Sequence, residues 1–366
     1  MEALVAERGK ATEIQEFIVD AVVKHPRDIG RLTADHFHIS RPAVTKYLQS
    51  LVQKGILEAT GKTKARTYQL RVLVQEMFRL PVTQDLKEDI VWREKVGPLL
   101  QNVQENVRTI CNYGFTEMLN NVTDHSGSKY VEILVRLTAA EIALQVKDFG
   151  VGVFNKLMKD FNLHDSRHAL LELSKGKLTS DRSKHSGQGI FFTSRAFDEF
   201  VLDSYGFTFC RFGKDDDWLF ETSEPVKGTW VHMRIGKRAT RQLPEVMQEY
   251  SSELHDYGFT KTHIPLTLAR YEGEQLISRS QAKRLVARVD QFKEVLLDFR
   301  EVNMIGQAFA DEIFRVFANE HPNVRLRISH ANEEVLKMIK KAKEDTPSGE
   351  TLSLFSNLEN TNEGAS

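Results

Sequence analysis

Glu117, Asn121 and Asp124 recur at intervals of four and three residues in the stretch TEMLNNVTDHS, residues 116–126. On a regular helix this spacing sets Glu117 and Asn121 one turn apart and Asp124 one turn further, so three oxygen-bearing side chains share a face. Such a face is either solvated surface or the wall of a site that holds a hydrated cation and moves a proton. A second group follows in KDFGVGV, where Asp148 precedes Gly150 and Gly152. An aspartate at a strand end can accept a hydrogen bond from an exocyclic amine, and glycines let backbone approach a planar ligand with no Cβ in the way. A third is HSGQGIFFTSRAFDEF, with Gly187, Gln188 and Gly189 just ahead of an apolar helix, where free backbone N–H groups can cradle phosphate. A fourth is KGTWVHMRI, a strand opening on Gly228 and Thr229.

These residues need elements to position them. Residues 91–121 read as a long helical region with Pro98 as its break. In YVEILVRL, Val131, Ile133, Val135 and Leu137 alternate onto one face; in EIALQV, Ile142, Leu144 and Val146 do the same. That pattern predicts an antiparallel sheet covered on one side. Between the glycine groups, LELSKGKLTSDRSKHSGQG is polar and fits a mobile lid. Its Lys175, Lys177 and Lys184 are candidate phosphate contacts or ordinary solvated lysines.

Taken together, Glu-x-x-x-Asn, Asp-x-Gly-x-Gly, Gly-x-Gly and Gly-Thr, in this order and on these elements, resemble the GHKL ATP-binding superfamily of gyrase, heat-shock chaperone, mismatch-repair and histidine-kinase ATPase domains. The resemblance covers about residues 90–238. It implies an α/β sandwich with helices on one face of a mixed or antiparallel sheet, and ATP with Mg2+ as cofactors. Asn121 would bind the magnesium, Glu117 would be the catalytic base, and Asp124 would lie near the same nucleotide edge. Asp148 would read the adenine amine with Thr229 in support. Gly150 and Gly152 would line the pocket, and Gly187, Gln188, Gly189 and Lys184 would hold phosphate.

The first eighty residues have a different pattern. Ile14, Phe17, Ile18, Val22 and Val23 give one amphipathic helix, RDIGRLTADHF a short second, and ISRPAVTKYLQSLVQKG a third with Ser40 as N-cap, Pro42 in its first turn and Gly55 past its end. ILEATGKTKARTYQL then reads as two strands around a turn at Gly61 with basic residues at the tip. Three helices and a basic hairpin resemble a winged helix-turn-helix. That resemblance implies contact with double-stranded DNA through Arg41, Thr45, Lys46 and Tyr47 on the third helix and through Lys62, Lys64 and Arg66 on the wing. Residues 1–80 hold 13 Lys and Arg against 9 Asp and Glu, a balance of +4. Winged helices also dock proteins, so the fold leaves both partners open.

Residues 258–345 alternate strand and helix: HIPLTLARY, SRSQAKRLVARVDQF, EVLLDF, GQAFADEIFRVFANEH, NVRLRIS and NEEVLKMIKKAKE. VLLDFREVNMIGQAFADEIF resembles the central strand and helix of a STAS domain, and more closely the STAS-like domain of unknown function that accompanies GHKL ATPases. Where anti-anti-sigma factors carry a phosphorylatable serine, this chain has Ala308 beside Gln307, so phosphorylation there is not expected. Asp311 and Glu312 either present charge to a protein partner or form a polar helix face. Residues 346–366 are polar and aperiodic and read as a disordered tail.

Composition limits the classes. The chain has 366 residues, 41% hydrophobic and 28% charged, with 50 basic against 51 acidic side chains, so charge-driven partners must be met locally. Cys111 and Cys210 make neither a redox pair nor a metal cluster. No signal peptide or membrane span is read, and a cytoplasmic multidomain α+β protein is expected: a winged helix over 1–80, the ATP-binding domain over 81–240 and the STAS-like domain over 258–345.

The expected function is an ATP- and magnesium-dependent regulator joining a nucleotide switch to DNA and to a protein partner. The alternatives are an ATPase or anti-sigma-type serine kinase acting on a separate protein, and an adaptor in which ATP is a scaffold. A sensor histidine kinase is disfavoured, because residues 82–121 hold no histidine ahead of the ATP domain. Dimers are common in the resembling superfamily, but no heptad run specifies one here.

Overall fold

The computed structural model describes residues 2–62, 65–163, 165–178, 187–213, 216–222, 225–251, 258–270 and 274–344. The chain mixes α and β structure and divides into two compact units, residues 1–264 and 265–366.

The first unit opens with α1 (Glu2–Ala21), α2 (Ile29–Phe37) and α3 (Arg41–Gln53), then a hairpin of β1 (Leu57–Thr60) and β2 (Thr67–Leu70). Ile14, Ile18 and Val22 of α1, with Val22 just past its end, meet Ile29 of α2, Val44, Leu48 and Leu51 of α3 and Leu57 of β1 in one core. Helical spacing of the apolar residues dictates which faces meet. Ser40 caps α3 by accepting the Ala43 N–H at 3.4 Å, a device that contributes about 1 kcal/mol. Ala140 belongs to the same core, and Arg238 pairs with Asp20 of α1. The helices therefore pack on the next part of the unit.

That part is a seven-stranded sheet in the order β3–β4–β5–β9–β6–β7–β8. Its strands are β3 (Val74–Pro81), β4 (Tyr130–Leu137), β5 (Glu141–Asp148), β6 (Glu199–Ser204), β7 (Phe207–Phe212), β8 (Asp216–Glu221) and β9 (Trp230–Gly236), and every adjacent pair is antiparallel. β3 is hydrogen-bonded along β4 from Val74 opposite Leu137 to Pro81 opposite Tyr130. The last residues of the 1–80 segment are thus part of this sheet. Val131, Ile133 and Val135 of β4, Ile142, Leu144 and Val146 of β5, and Val231, Met233 and Ile235 of β9 are buried, as their alternation predicts.

Over the sheet lie α5 (Glu105–Asn121), burying Val107, Ile110, Phe115, Met118 and Leu119, and α8 (Gly189–Ala196), burying Phe191 and Phe192. The short α4 (Glu88–Val91) precedes them; α6 (Val153–Phe161), α7 (Ser166–Lys175) and α9 (Leu243–Glu249) complete the set. The expected long helix over 91–121 is interrupted. After α4 come a π turn at Trp92–Val96 and a 3-10 turn at Gly97–Leu100, and α5 starts only at Glu105. Pro98 sits in the first positions of the 3-10 turn, where a missing N–H costs nothing, so the chain leaves the helix after the proline and not at it.

The second unit centres on β11 (Glu294–Asp298) and β12 (Arg325–Ser329), which pair in parallel with Asp298 opposite Ser329. β10 (Lys261–Pro265) completes a three-stranded sheet. Around it are α10 (Arg279–Val286), α11 (Gln307–Asp311), α12 (Ala318–Glu320) and α13 (Glu333–Glu344), with a π turn at Glu312–Phe317 joining α11 to α12. The strand expected from HIPLTLARY stops at Pro265 and continues as a 3-10 turn, and the helix expected to reach Phe292 stops at Val286. Arg288, in the left-handed region at φ 60°, ends that helical path. Among the described residues no helix is long and apolar enough to cross a membrane. Both cysteines are buried free thiols, and burial pushes the Cys210 thiol up to about 12.

Candidate functional site

The four sequence groups meet on one side of the large sheet. Glu117 and Asn121 lie half-buried on the last turn of α5. Helix α5 then widens into a π turn at Val122–Ser126, whose hydrogen bonds reach five residues back. Asp124 falls in this widened turn and is exposed, so it does not continue the face of Glu117 and Asn121 as regular spacing predicts. The turn serves a different purpose. The Ser126 carbonyl accepts the Val151 N–H at 2.8 Å, Ser126 Oγ accepts the Ser128 N–H at 3.0 Å, and Ser128 Oγ accepts the Phe149 N–H at 3.0 Å. These bonds tie the end of the Glu117 helix to the loop that follows Asp148. A Cβ on Gly150 would overlap the Ser126 carbonyl, so the glycine there is demanded by close approach and not only by loop flexibility.

Asp148 closes β5 and is 3% exposed. Its Oδ1 accepts the Gly150 N–H at 2.8 Å, and Thr229 donates to it from both backbone and hydroxyl. Thr229 also returns its carbonyl to the Asp148 N–H at 2.9 Å, and its Oγ1 accepts the Val153 N–H at 3.0 Å at the start of α6. Burial pushes the Asp148 carboxyl above the ordinary carboxylate range, opposed by these hydrogen bonds. An ionised carboxylate offers about four acceptor positions. Three donors are in place, which leaves capacity for one more. Gly152, at φ 80°, lies against Tyr205 and Ser204, and the Tyr205 hydroxyl donates to the Gly150 carbonyl at 3.0 Å.

Gly189 begins α8 directly against the Glu117 carboxylate, which a Cβ at that position would overlap. The base candidate and the first N–H groups of α8 therefore face each other. Gln188 is half-buried and receives the Phe192 N–H on its carbonyl at 2.9 Å; Gly187, at φ 67°, accepts the Leu178 N–H at 3.2 Å. Glu117 also stands near Tyr113, whose hydroxyl is pushed up by burial and then by the Glu117 charge. Asn121 Nδ2 is buried with no hydrogen-bond partner among the described residues. Lys184 lies outside the described residues. Lys175 is buried and donates to Glu172 at 2.6 Å, so it is a structural partner and not the lid lysine expected; the LELSK segment is the end of α7. Lys177 extends over the Phe259 ring at 5.6 Å.

Sequence reasoning did not single out Ser126, Ser128 or Tyr205. Ser126 was within reach, since it ends the quoted TEMLNNVTDHS, but its role depends on a π turn that a 3.6-residue period cannot reveal.

On α3, Arg41, Thr45 and Lys46 are exposed together, with the Thr45 hydroxyl donating to the Arg41 carbonyl at 2.9 Å. Tyr47 packs partly against the helical core, so less of it is free than the sequence suggests. Lys62 and Arg66 are exposed on the hairpin; Lys64 lies outside the described residues, as does the expected tail over 346–366. In the second unit Asp311 chelates Arg315, with one bond at 2.8 Å, and lies 3.5 Å from Arg279. Arg315 holds the Asp311 carboxyl below its usual range. Glu312 is buried and meets Arg279 at 3.3 Å and Lys283 at 3.8 Å. These acids tie α10 to α11 and the π turn that follows it.

Comparison with known proteins bears on the second unit alone. No curated protein matches the chain. Residues 281–336 match the sequence profile of a family described as a STAS-like domain of unknown function (DUF4325), and the chain therefore carries a STAS-like domain at its C-terminal end.

Proposed function

We propose that the protein is a nucleotide-responsive regulator. In this reading residues 81–240 bind ATP with Mg2+ in the manner of GHKL domains. The N-terminal helices and hairpin form a winged helix on duplex DNA, and the STAS-like domain meets a protein partner. The observation that carries it is Asp148: a carboxylate buried at a strand end, with room for one further donor and glycines wherever a ligand plane would approach. An exocyclic amine supplies such a donor.

The cofactor fits the residues present. Asn121 keeps a buried amide atom unspent, as a group awaiting a ligand would. Among the described residues no group of three or more His, Cys, Asp or Glu could hold a metal. A magnesium here would rely on Asn121, phosphate oxygens and water, which is how this ion is usually held. Bound Mg–ATP supplies an activated γ-phosphoryl group. Glu117 would accept the proton of an attacking water or hydroxyl, and the N–H groups at Gly187, Gln188 and Gly189 would hold phosphate beside it. Nucleotide would shift the protein only as far as its affinities for two states differ.

Magnesium-dependent ATP binding and phosphate release, measured on wild type and Glu117→Ala together, test this. Binding in both with release only in wild type makes Glu117 the base of a hydrolytic switch. Release in neither makes the chain a kinase for another protein or a nucleotide-held scaffold, and absence of binding removes the reading. For DNA, Arg41→Ala with Lys46→Ala should weaken duplex binding and flatten its log–log salt dependence by about 2, at roughly 0.9 per phosphate contact. An unchanged slope would move the interface off α3.

A further inference from the structure

The second unit has a polar constellation that none of these roles uses. It lies at the carboxyl ends of the parallel strands β11 and β12, the edge at which open parallel sheets place their ligands. Asp298, the last residue of β11, is 3% exposed. It accepts the Arg300 backbone N–H at 3.0 Å, the Arg300 guanidinium stands 3.4 Å away, and His330 Nδ1 lies 3.0 Å from its Oδ1. A carboxylate only accepts, so Nδ1 carries the proton and Nε2 keeps its lone pair. The imidazole itself is 54% exposed. His330 is held at φ 53° and Glu301, after the other strand, at φ 60°. Left-handed conformation in residues other than glycine is costly and persists where the surroundings enforce it. Beside the pair, Ser329 Oγ is buried with no partner among the described residues.

A buried carboxylate that fixes the tautomer of an exposed imidazole makes Nε2 a nucleophile rather than a general surface group. The charge around it favours an anionic electrophile. Arg300 is within the cluster, and Arg270 donates to the Glu301 carbonyl at 3.1 Å. We propose that His330 is a phosphoryl-acceptor site, its Nε2 taking a phosphoryl group from ATP held by this chain or by a second copy. The donor in this proposal rests on the nucleotide reading above; the acceptor geometry does not. In the transfer, the Nε2 lone pair forms a bond to the γ-phosphorus while the bond from that phosphorus to the β–γ bridging oxygen breaks. ADP leaves with the electron pair, and the proton stays on Nδ1, where Asp298 offsets the imidazolium charge. No base is needed before attack. The histidine missing from residues 82–121, and the serine replaced by Ala308, have a counterpart here.

The test uses the full-length protein with two donors. With γ-labelled ATP and Mg2+, label should appear that is acid-labile and alkali-stable, map to His330, and disappear in His330→Gln. With phosphoramidate, which needs no nucleotide site, His330 should react at least tenfold faster than other exposed histidines and yield only the Nε2 isomer after alkaline hydrolysis. Asp298→Ala should give both nitrogen isomers, a change that a purely structural carboxylate would not produce. ATP that binds without labelling His330 overturns the proposal and leaves the nucleotide reading standing. Failure of ATP to bind overturns that reading instead, and phosphoramidate then decides. Selective Nε2 reaction supports an acceptor served by another phosphoryl donor, and unselective reaction overturns it.

Discussion

Two strands of this chain end on the same device. β5 ends on Asp148 and β11 on Asp298, each is 3% exposed, and each turns its Oδ1 back to accept the backbone N–H two residues on. In both places the short polar side chain mimics a turn of backbone. Their neighbours differ. Asp148 receives only neutral donors, from Gly150 and Thr229, so burial raises its pKa and one acceptor position stays open. Asp298 meets the Arg300 guanidinium and the His330 imidazole, and its charge is spent orienting them. The turn is common to both; the company decides whether the carboxylate reads a ligand or positions another side chain.

The largest effect expected from this contrast is on nucleotide affinity. Asp148→Ala should weaken ATP binding by on the order of 100-fold, about 2.7 kcal/mol, whereas Asp298→Ala should change it by less than about twofold, since additivity holds between distant sites. Calorimetry on both folded variants distinguishes them. Equal losses would mean that the two turns do the same job and the contrast is empty.

Next in size is the loop after each aspartate. Gly150→Ala forces a Cβ onto the Ser126 carbonyl, and backbone on both sides leaves no flexible end to yield. Overpacking of this kind costs about 1–3 kcal/mol, and nucleotide binding should fall with it. Arg300→Ala removes a partly exposed ion pair and should cost under about 1 kcal/mol. Denaturant midpoints at unchanged m-value compare the two. A Gly150→Ala protein as stable as wild type would show that the loop can shift, and that its glycine serves flexibility alone.

The same contrast explains what the sequence made legible. β4 and β5 are evident from Val131 to Val146 because one face is buried and period-2 alternation reports that directly. β3 is not, because its Met77 is exposed at the sheet edge and its apolar residues are only half-buried. β6 and β7 pair Val201 with Cys210 on one face and Leu202 with Phe209 on the other, so apolar residues fall on both sides and alternation is lost. At the site, Asp148, Gly150 and Thr229 stand out because residue type itself carries the constraint. Asp124 misleads because the helix widens beneath it. The Asp298–His330 pair escaped notice because its partners lie 32 residues apart and meet only through the parallel pairing of β11 with β12.

The smallest predicted effect concerns pH, and it has two opposite signs at one residue. A carboxyl whose folded-state pKa lies above its unfolded value favours the native state when protonated. The stability that Asp148 contributes is therefore present below the unfolded pKa and lost as pH rises through the raised folded value. Ligand binding runs the other way, because only the carboxylate has every acceptor position available. Affinity should be full above the folded pKa and fall as pH drops through it, sooner than an ordinary carboxylate would allow. Adenosine is the appropriate probe, since it carries no phosphate to titrate in the same range. Asp148→Asn should flatten both profiles, while Asp298→Asn should leave the adenosine profile unchanged, its carboxylate being committed to His330 and Arg300. An adenosine affinity in wild type that holds constant until the ordinary carboxylate range would mean that the bound ligand does not depend on the Asp148 charge, and the amine-reading role would pass to the neighbouring Thr229 and Gly150.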